Sequence, residues 1–144
     1  MEWRGVVIGG LLPAVLYGVA GTLQKASQRT GAGIGPYLIC IGLSVVGVGA
    51  LATWVNTERA ITGKGAWLAA GMGLAWGLGT WLVALGLSRY AVPVAKLAPL
   101  YNSNTVVVVL LGLLLFAEYR EVSIGRLAVG VVLVVSGATV VARA

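Results

Sequence analysis

Residues 97 to 117 read LAPLYNSNTVVVVLLGLLLFA, without a single charged side chain. A helix needs about 20 mostly apolar residues to cross the hydrocarbon core of a bilayer, and this stretch is long enough to do so. Outward from it the pattern repeats. Uncharged runs extend from Gly5 to Gln24, Thr30 to Thr57, Gly65 to Ser88 and Leu127 to Ala142. The last is short unless the helix begins near Val122 and Arg126 snorkels to the interface, as long basic side chains do at helix ends. The spacing predicts five spans, near residues 5–25, 36–56, 66–88, 93–117 and 123–142. The expected fold is all-α: a polytopic membrane protein forming a compact bundle of five transmembrane helices, one domain over residues 1–144.

Composition agrees. Of 144 residues 59% are hydrophobic and 10% charged, against roughly 25% charged in a soluble domain. Continuous apolar runs favour helices over barrel strands, which alternate and span in only about 9–11 residues. A helix also satisfies its own backbone polar groups in lipid. The connections are brief: the glycine-rich RTGAGIGP at 29–36, a charged loop at 57–65, and short links at 89–93 and 119–122. Brief links favour antiparallel neighbours. A cleaved secretory signal is the other reading of the first span, but its apolar run is long for a signal core and four more spans follow.

Several function classes lose their material. The chain has no histidine, one cysteine (Cys40) and four acidic residues, Glu2, Glu58, Glu118 and Glu121. His-dependent triads, the usual zinc sites, intramolecular disulfides and paired-carboxylate chemistry have nothing to build on. An enzyme is not expected, and neither a metal nor a cofactor is expected. The net charge of +6 is divided between two membrane faces in loops too short to form a groove. It suits contact with anionic membrane lipids better than nucleic acid, which is not expected as a partner. GAGIG at 31–35 follows no strand and lacks the lysine of a nucleotide-binding loop.

Trp3, Tyr37, Trp54, Trp67, Tyr90 and Tyr119 fall near the expected helix ends, where amphipathic rings sit at headgroup level. Tyr17, Trp76, Trp81 and Tyr101 lie deeper and either pack in the bundle or line a cavity. Glycine occurs 22 times, and small residues let membrane helices approach closely. Gly5 with Gly9, and Gly73 with Gly77, read as packing faces, or as surfaces along which helices rock.

Orientation turns on Lys and Arg in short loops. Arg4, Arg59, Lys64, Arg120 and Arg126 share the amino-terminal side; Lys25, Arg29, Arg89 and Arg143 share the other, joined by Lys96 if it snorkels outward. The near balance expects insertion in both directions, any residual bias placing the amino terminus in the cytoplasm.

Span four carries the chemistry. Pro93 suits a helix start, and Pro99 removes a backbone donor and should bend or loosen the helix. Asn102, Ser103, Asn104 and Thr105 follow near mid-span, the depth at which transporters bind substrate on interrupted helices. At 100° per residue Ser103 falls about 20° from Lys96. One face would then present Lys96, Ser103 and Asn104 to a cavity, while Tyr101 and Asn102 meet neighbouring helices. Lys96 is read equally as a snorkelling side chain, and the Asn and Ser cluster equally as interhelical glue. On span one, Pro13, Tyr17 and Gln24 share roughly one face, and Pro13 leaves the Gly9 carbonyl without its helical donor. The candidate substrate contacts are Lys96, Tyr101, Asn102, Ser103 and Asn104, with Tyr17 and Trp76. No carboxylate lies in mid-membrane for proton coupling, and Lys96 leans the solute towards neutral or anionic.

Residues 66 to 142 resemble the EamA-type half of the drug/metabolite transporter superfamily. The resemblance lies in the order of features: GLGTWLVALGLSRYAVPVA, an Ala-Pro step at 98–99, the long aliphatic run, Glu118 at its end, and a last helix with Gly130 and Gly137. Spans one and two match in hydropathy and length alone. Most relatives are ten-span proteins made of two inverted five-span halves, and this chain is similar to one half. The resemblance implies export or exchange of small organic solutes, metabolites or drugs, by alternating access. A half-transporter implies a partner, here an antiparallel homodimer with dual topology and an inverted repeat rebuilt from two copies, in a prokaryotic cytoplasmic membrane. The related four-span multidrug transporters carry an embedded glutamate in their first span; this chain has none, and its Glu118 reads as a helix-end or loop contact, with Arg126 as one partner. An accessory or structural membrane subunit, and a flippase-like protein for lipid-linked substrates, are the alternatives.

Overall fold

The computed structural model describes residues 3–57, 59–120 and 122–144; Glu2, Glu58 and Glu121 lie outside the described residues. The helices are α1 (Trp3–Arg29), α2 (Ile34–Val55), α3 (Gly63–Ser88), α4 (Val94–Asn102), α5 (Asn104–Leu115) and α6 (Ile124–Arg143). No strand occurs among the described residues. Among the described residues five stretches, with α4 and α5 counted as one, are long and apolar enough to cross a membrane. The protein is all-α and reads as an integral membrane protein.

The helices begin and end where local chemistry allows. α1 runs four residues past its expected end because Lys25 to Arg29 contains no helix breaker; it stops at Gly31, whose φ of +79° reverses the chain at no steric cost to glycine. The amide of Gly31 donates to the Gln28 carbonyl at 3.3 Å and that of Thr30 to Ser27 at 3.1 Å. α2 starts two residues early, taking Pro36 into its first turn, where a missing donor is harmless. α3 starts at Gly63 rather than near 66 because Thr62 caps it, its hydroxyl accepting from the Gly65 amide at 3.1 Å. All six aromatic residues expected at helix ends are found near them, with Trp54 and Trp67 left largely exposed.

Pro13 is absorbed without ending α1. Residues Val7–Leu11 form a π-helical turn, and the Leu12 amide reaches back five residues to the Val7 carbonyl. Such a bulge is the usual local answer to an interrupted ladder.

The chain divides into two compact units, one ending at Ala91 and the other beginning at Val92. In the first, α3 packs against both α1 and α2. In the second, α6 packs mainly against α4 and more lightly against α5. Few side chains are sealed: Ala84 and Leu87 in α3 and Ala138 in α6 are the buried apolar residues among those described. Broad exposure of leucine and valine costs nothing in lipid, which is as apolar as they are.

The glycines correct an expectation. A Cβ placed on Gly5, Gly9, Gly73 or Gly77 would meet nothing within 4 Å, so these are not the seams that hold the chain's own helices together. The tightest approach to a glycine among the described residues is at Gly112, where a Cβ would lie 2.6 Å from Oε2 of Glu118. Glu118 is thus a helix-end contact, folded back over the last turn of α5.

Candidate functional site

The polar segment of span four is a true interruption. With no N–H at Pro99 the ladder is already weakened, and four residues on the helix fails: Ser103 has φ −64° and ψ −6°, and its amide bonds Leu100 at 3.1 Å instead of Pro99. Its hydroxyl takes the vacated Pro99 carbonyl at 3.1 Å. The pattern continues past the break, where the Val106 amide reaches the Ser103 carbonyl at 3.0 Å and the Thr105 hydroxyl donates to the Asn102 carbonyl at 3.0 Å. Both hydroxyls bond back within one turn, as Ser44 and Thr80 do in unbroken helices, here across a turn tightened to i to i−3 backbone bonds.

The break resets the helical phase. Lys96, Tyr101 and Ser103, all on or capping α4, are half-buried, whereas Asn102 and Asn104 are exposed. Lys96 and Ser103 fall into the same burial class, as their 20° separation predicts, but the expected alignment of Asn104 with them is lost and Asn102 does not meet a neighbouring helix. A wheel drawn at 100° per residue cannot be carried through a turn with i to i−3 bonds. Lys96 sits in the first turn of α4, its amide bonded to the Pro93 carbonyl at 3.0 Å, within reach of an interface. The Ser103 proton is committed to the backbone, leaving its oxygen to accept. The asparagine amides carry both donors and acceptors, and Asn104 is close to the midpoint of Val94–Leu115.

Tyr17 and Trp76 belong to the other unit. Tyr17 is 73% exposed on α1, so it neither packs among helices nor lines a closed cavity there; Pro13 does not turn it inward, because the π-helical turn lets α1 run on. Trp76 lines an apolar groove of about 390 Å³ with Trp81, Leu38 and Val45, its floor opened by Gly42, Gly73 and Gly77. The glycines expected to close a helix pair instead leave a slot between α2 and α3.

Sequence reasoning found Gln24 but passed over Gln28, one turn further along the same face. The side-chain nitrogens of both, and the oxygen of Gln28, are buried without a hydrogen-bond partner. The i, i+4 spacing of two amides beside Lys25 and Arg29 was the available signal.

No family model, curated protein or solved structure matches the chain.

Proposed function

We propose that the protein is a half-transporter for small organic solutes that works by alternating access as an antiparallel homodimer. The observation that carries the reading is the pair of exposed asparagines flanking the break between α4 and α5. At mid-span these amides face hydrocarbon unless another surface covers them, and an unpaired amide there costs several kcal/mol. A second, inverted copy supplies that cover and turns two broken helices into a polar chamber, in which Asn102 and Asn104 bond the solute, Ser103 accepts, and Lys96 adds charge towards one mouth. The even division of Lys and Arg between loop sets, the odd number of spans, and the resemblance of residues 66 to 142 to EamA-type halves support the same reading. A prokaryotic cytoplasmic membrane is the setting it implies.

Two measurements test it. Reporters fused to the carboxyl terminus should give signal on both sides of the membrane, and liposomes containing only this protein should accumulate solute. Signal on one side removes the antiparallel dimer.

The open groove between α2 and α3 favours a second reading, an accessory subunit that receives a helix of another membrane protein. Constant copurification with a different chain, and no flux in liposomes from the protein alone, would select it.

A further inference from the structure

The end of the first unit opposite the amino terminus holds a pocket of about 350 Å³ formed where α1 ends, α2 begins and α3 ends. That volume lies within the roughly 300–1,000 Å³ of small-molecule sites. Two features of its wall agree on the sign of an occupant, and a third shows unmet hydrogen-bonding capacity beside it. Lys25, Gln28 and Arg29 line it; at spacing i, i+3 and i+4 they occupy one face of α1. Ile34, also in the wall, opens the first turn of the 22-residue α2, whose N-cap Gly33 offers no side chain to the free amides, so the positive end of that helix is uncapped. The third feature is Gln28 itself. Both its amide nitrogen and its amide oxygen are cut off from solvent with no partner, and so is the amide nitrogen of Gln24 one turn back. Native proteins seldom leave buried polar atoms unpaired, and because Gln28 lines the pocket, turning its amide into that space is the way it gains a partner. None of the residues lining the pocket is acidic, and no glutamate occurs between residues 3 and 57, so nothing acidic in this stretch of chain opposes an anion.

We propose that this pocket binds a phosphate group. Lys25 and Arg29 supply charge, Arg29 with a planar fork suited to phosphate oxygens. The amide of Ile34, in the pocket wall, supplies a backbone donor in the manner of helix N-termini. Once the Gln28 amide turns into the pocket, a simple halide is a poor fit: the nitrogen donates to the anion while the oxygen needs a donor in return, which a phosphate hydroxyl or a hydroxyl of the esterified group provides. The loop Gly31 to Gly33 bounds the site without resembling a nucleotide-binding loop. The group arrives either on a phospholipid headgroup, since the pocket lies where the spans end, or as free phosphate in water. The inference does not depend on the transport reading.

The test uses the full chain, purified in phosphate-free buffer and stripped of lipid, with bound species weighed by native mass spectrometry. It is then titrated with inorganic phosphate and, separately, reconstituted into vesicles of phosphatidylglycerol or phosphatidylcholine. Saturable binding of inorganic phosphate identifies the free anion; selective retention of phosphatidylglycerol with no response to phosphate identifies the headgroup, and both support the site. The double variant Lys25→Gln, Arg29→Gln should weaken binding about 30-fold, from two interfacial charges. Gln28→Glu, isosteric with the amide and opposing the anion, should weaken it by at least about tenfold with helix content unchanged by circular dichroism, and Lys64→Gln, at the opposite end of α3 in the same unit, should leave it within about twofold. Wild-type protein that takes up neither probe holds only water there, which overturns the proposal. So does a double variant that binds as well as wild type, or a Lys64→Gln loss of equal size.

Discussion

Two prolines interrupt two spans, one in each unit, with opposite results. Pro13 is followed by Ala14, Val15 and Leu16, side chains with nothing to offer a freed backbone group, and the chain recovers through a π-helical turn that keeps Trp3–Arg29 continuous. Pro99 is followed within six residues by Asn102, Ser103, Asn104 and Thr105. There the Ser103 and Thr105 hydroxyls take the Pro99 and Asn102 carbonyls, and the helix divides. Each proline deprives the carbonyl four residues back, Gly9 or Ala95, of its donor; what sets the spans apart is that the ladder tightens to an i to i−3 bond at Ser103 and widens to an i to i−5 bond at Leu12.

The largest way to break that contrast is to restore the donor. Pro99→Ala should stabilise a continuous helix over 94–115 by up to about 3 kcal/mol and strongly protect the amides of 99–103 from hydrogen exchange. The same change at Pro13 should give about 1 kcal/mol or less, because the π-helical turn has already reconnected the ladder. Equal protection at the two sites would show that proline alone sets the outcome.

Next comes the function assigned to the break. Asn104→Leu should cut solute flux in liposomes at least about tenfold, the equivalent of one good hydrogen bond in the rate-limiting complex, with helix content unchanged by circular dichroism. Tyr17→Leu, on the unbroken and exposed α1, should stay within about twofold. Normal flux in the Asn104 variant removes that side chain from the chamber.

A smaller effect concerns the chain turns. Ala91 and Ala117 have φ of +50° and +55°, a region that costs a residue with a Cβ roughly 1–2 kcal/mol. Glycine at each position should raise stability in a denaturant titration by about 0.5 kcal/mol, after the added freedom of the unfolded chain is subtracted. A fall at either site would mean that the alanine methyl packs against something worth more than the strain.

The smallest change is expected at Gly112→Ala. The new methyl would meet the Glu118 carboxylate, but Glu118 is exposed and can swing aside, so stability should move by less than about 1 kcal/mol. A larger loss would show that the folded-back carboxylate organises the turn after α5.

Much of this was legible from residue order. Charges punctuate the chain at intervals a bilayer imposes, so every span was located to within four residues, and Pro99 ahead of Asn102 to Thr105 announced a loosened helix. Three things were not legible. The Thr62 cap depends on one hydroxyl reaching one amide. The exposure of Asn102 and Asn104 depends on a phase change that a regular wheel cannot contain. The glycine faces on α1 and α3 looked like seams, and only placement in three dimensions shows that nothing of this chain lies against them. Gln28 was readable from its spacing to Gln24, but its significance comes from burial without a partner, which no linear pattern encodes.

The sequence by itself determined that the chain is five helices and roughly where each enters and leaves lipid, because hydrocarbon thickness and the cost of buried charge act on every residue independently of its neighbours in space. Only the tertiary structure decided which glycines lie against nothing, which amides stay unpaired and where a pocket opens between α1, α2 and α3. Those outcomes depend on a few ångströms between groups distant in the chain, and many sequences with the same hydropathy would arrange them differently.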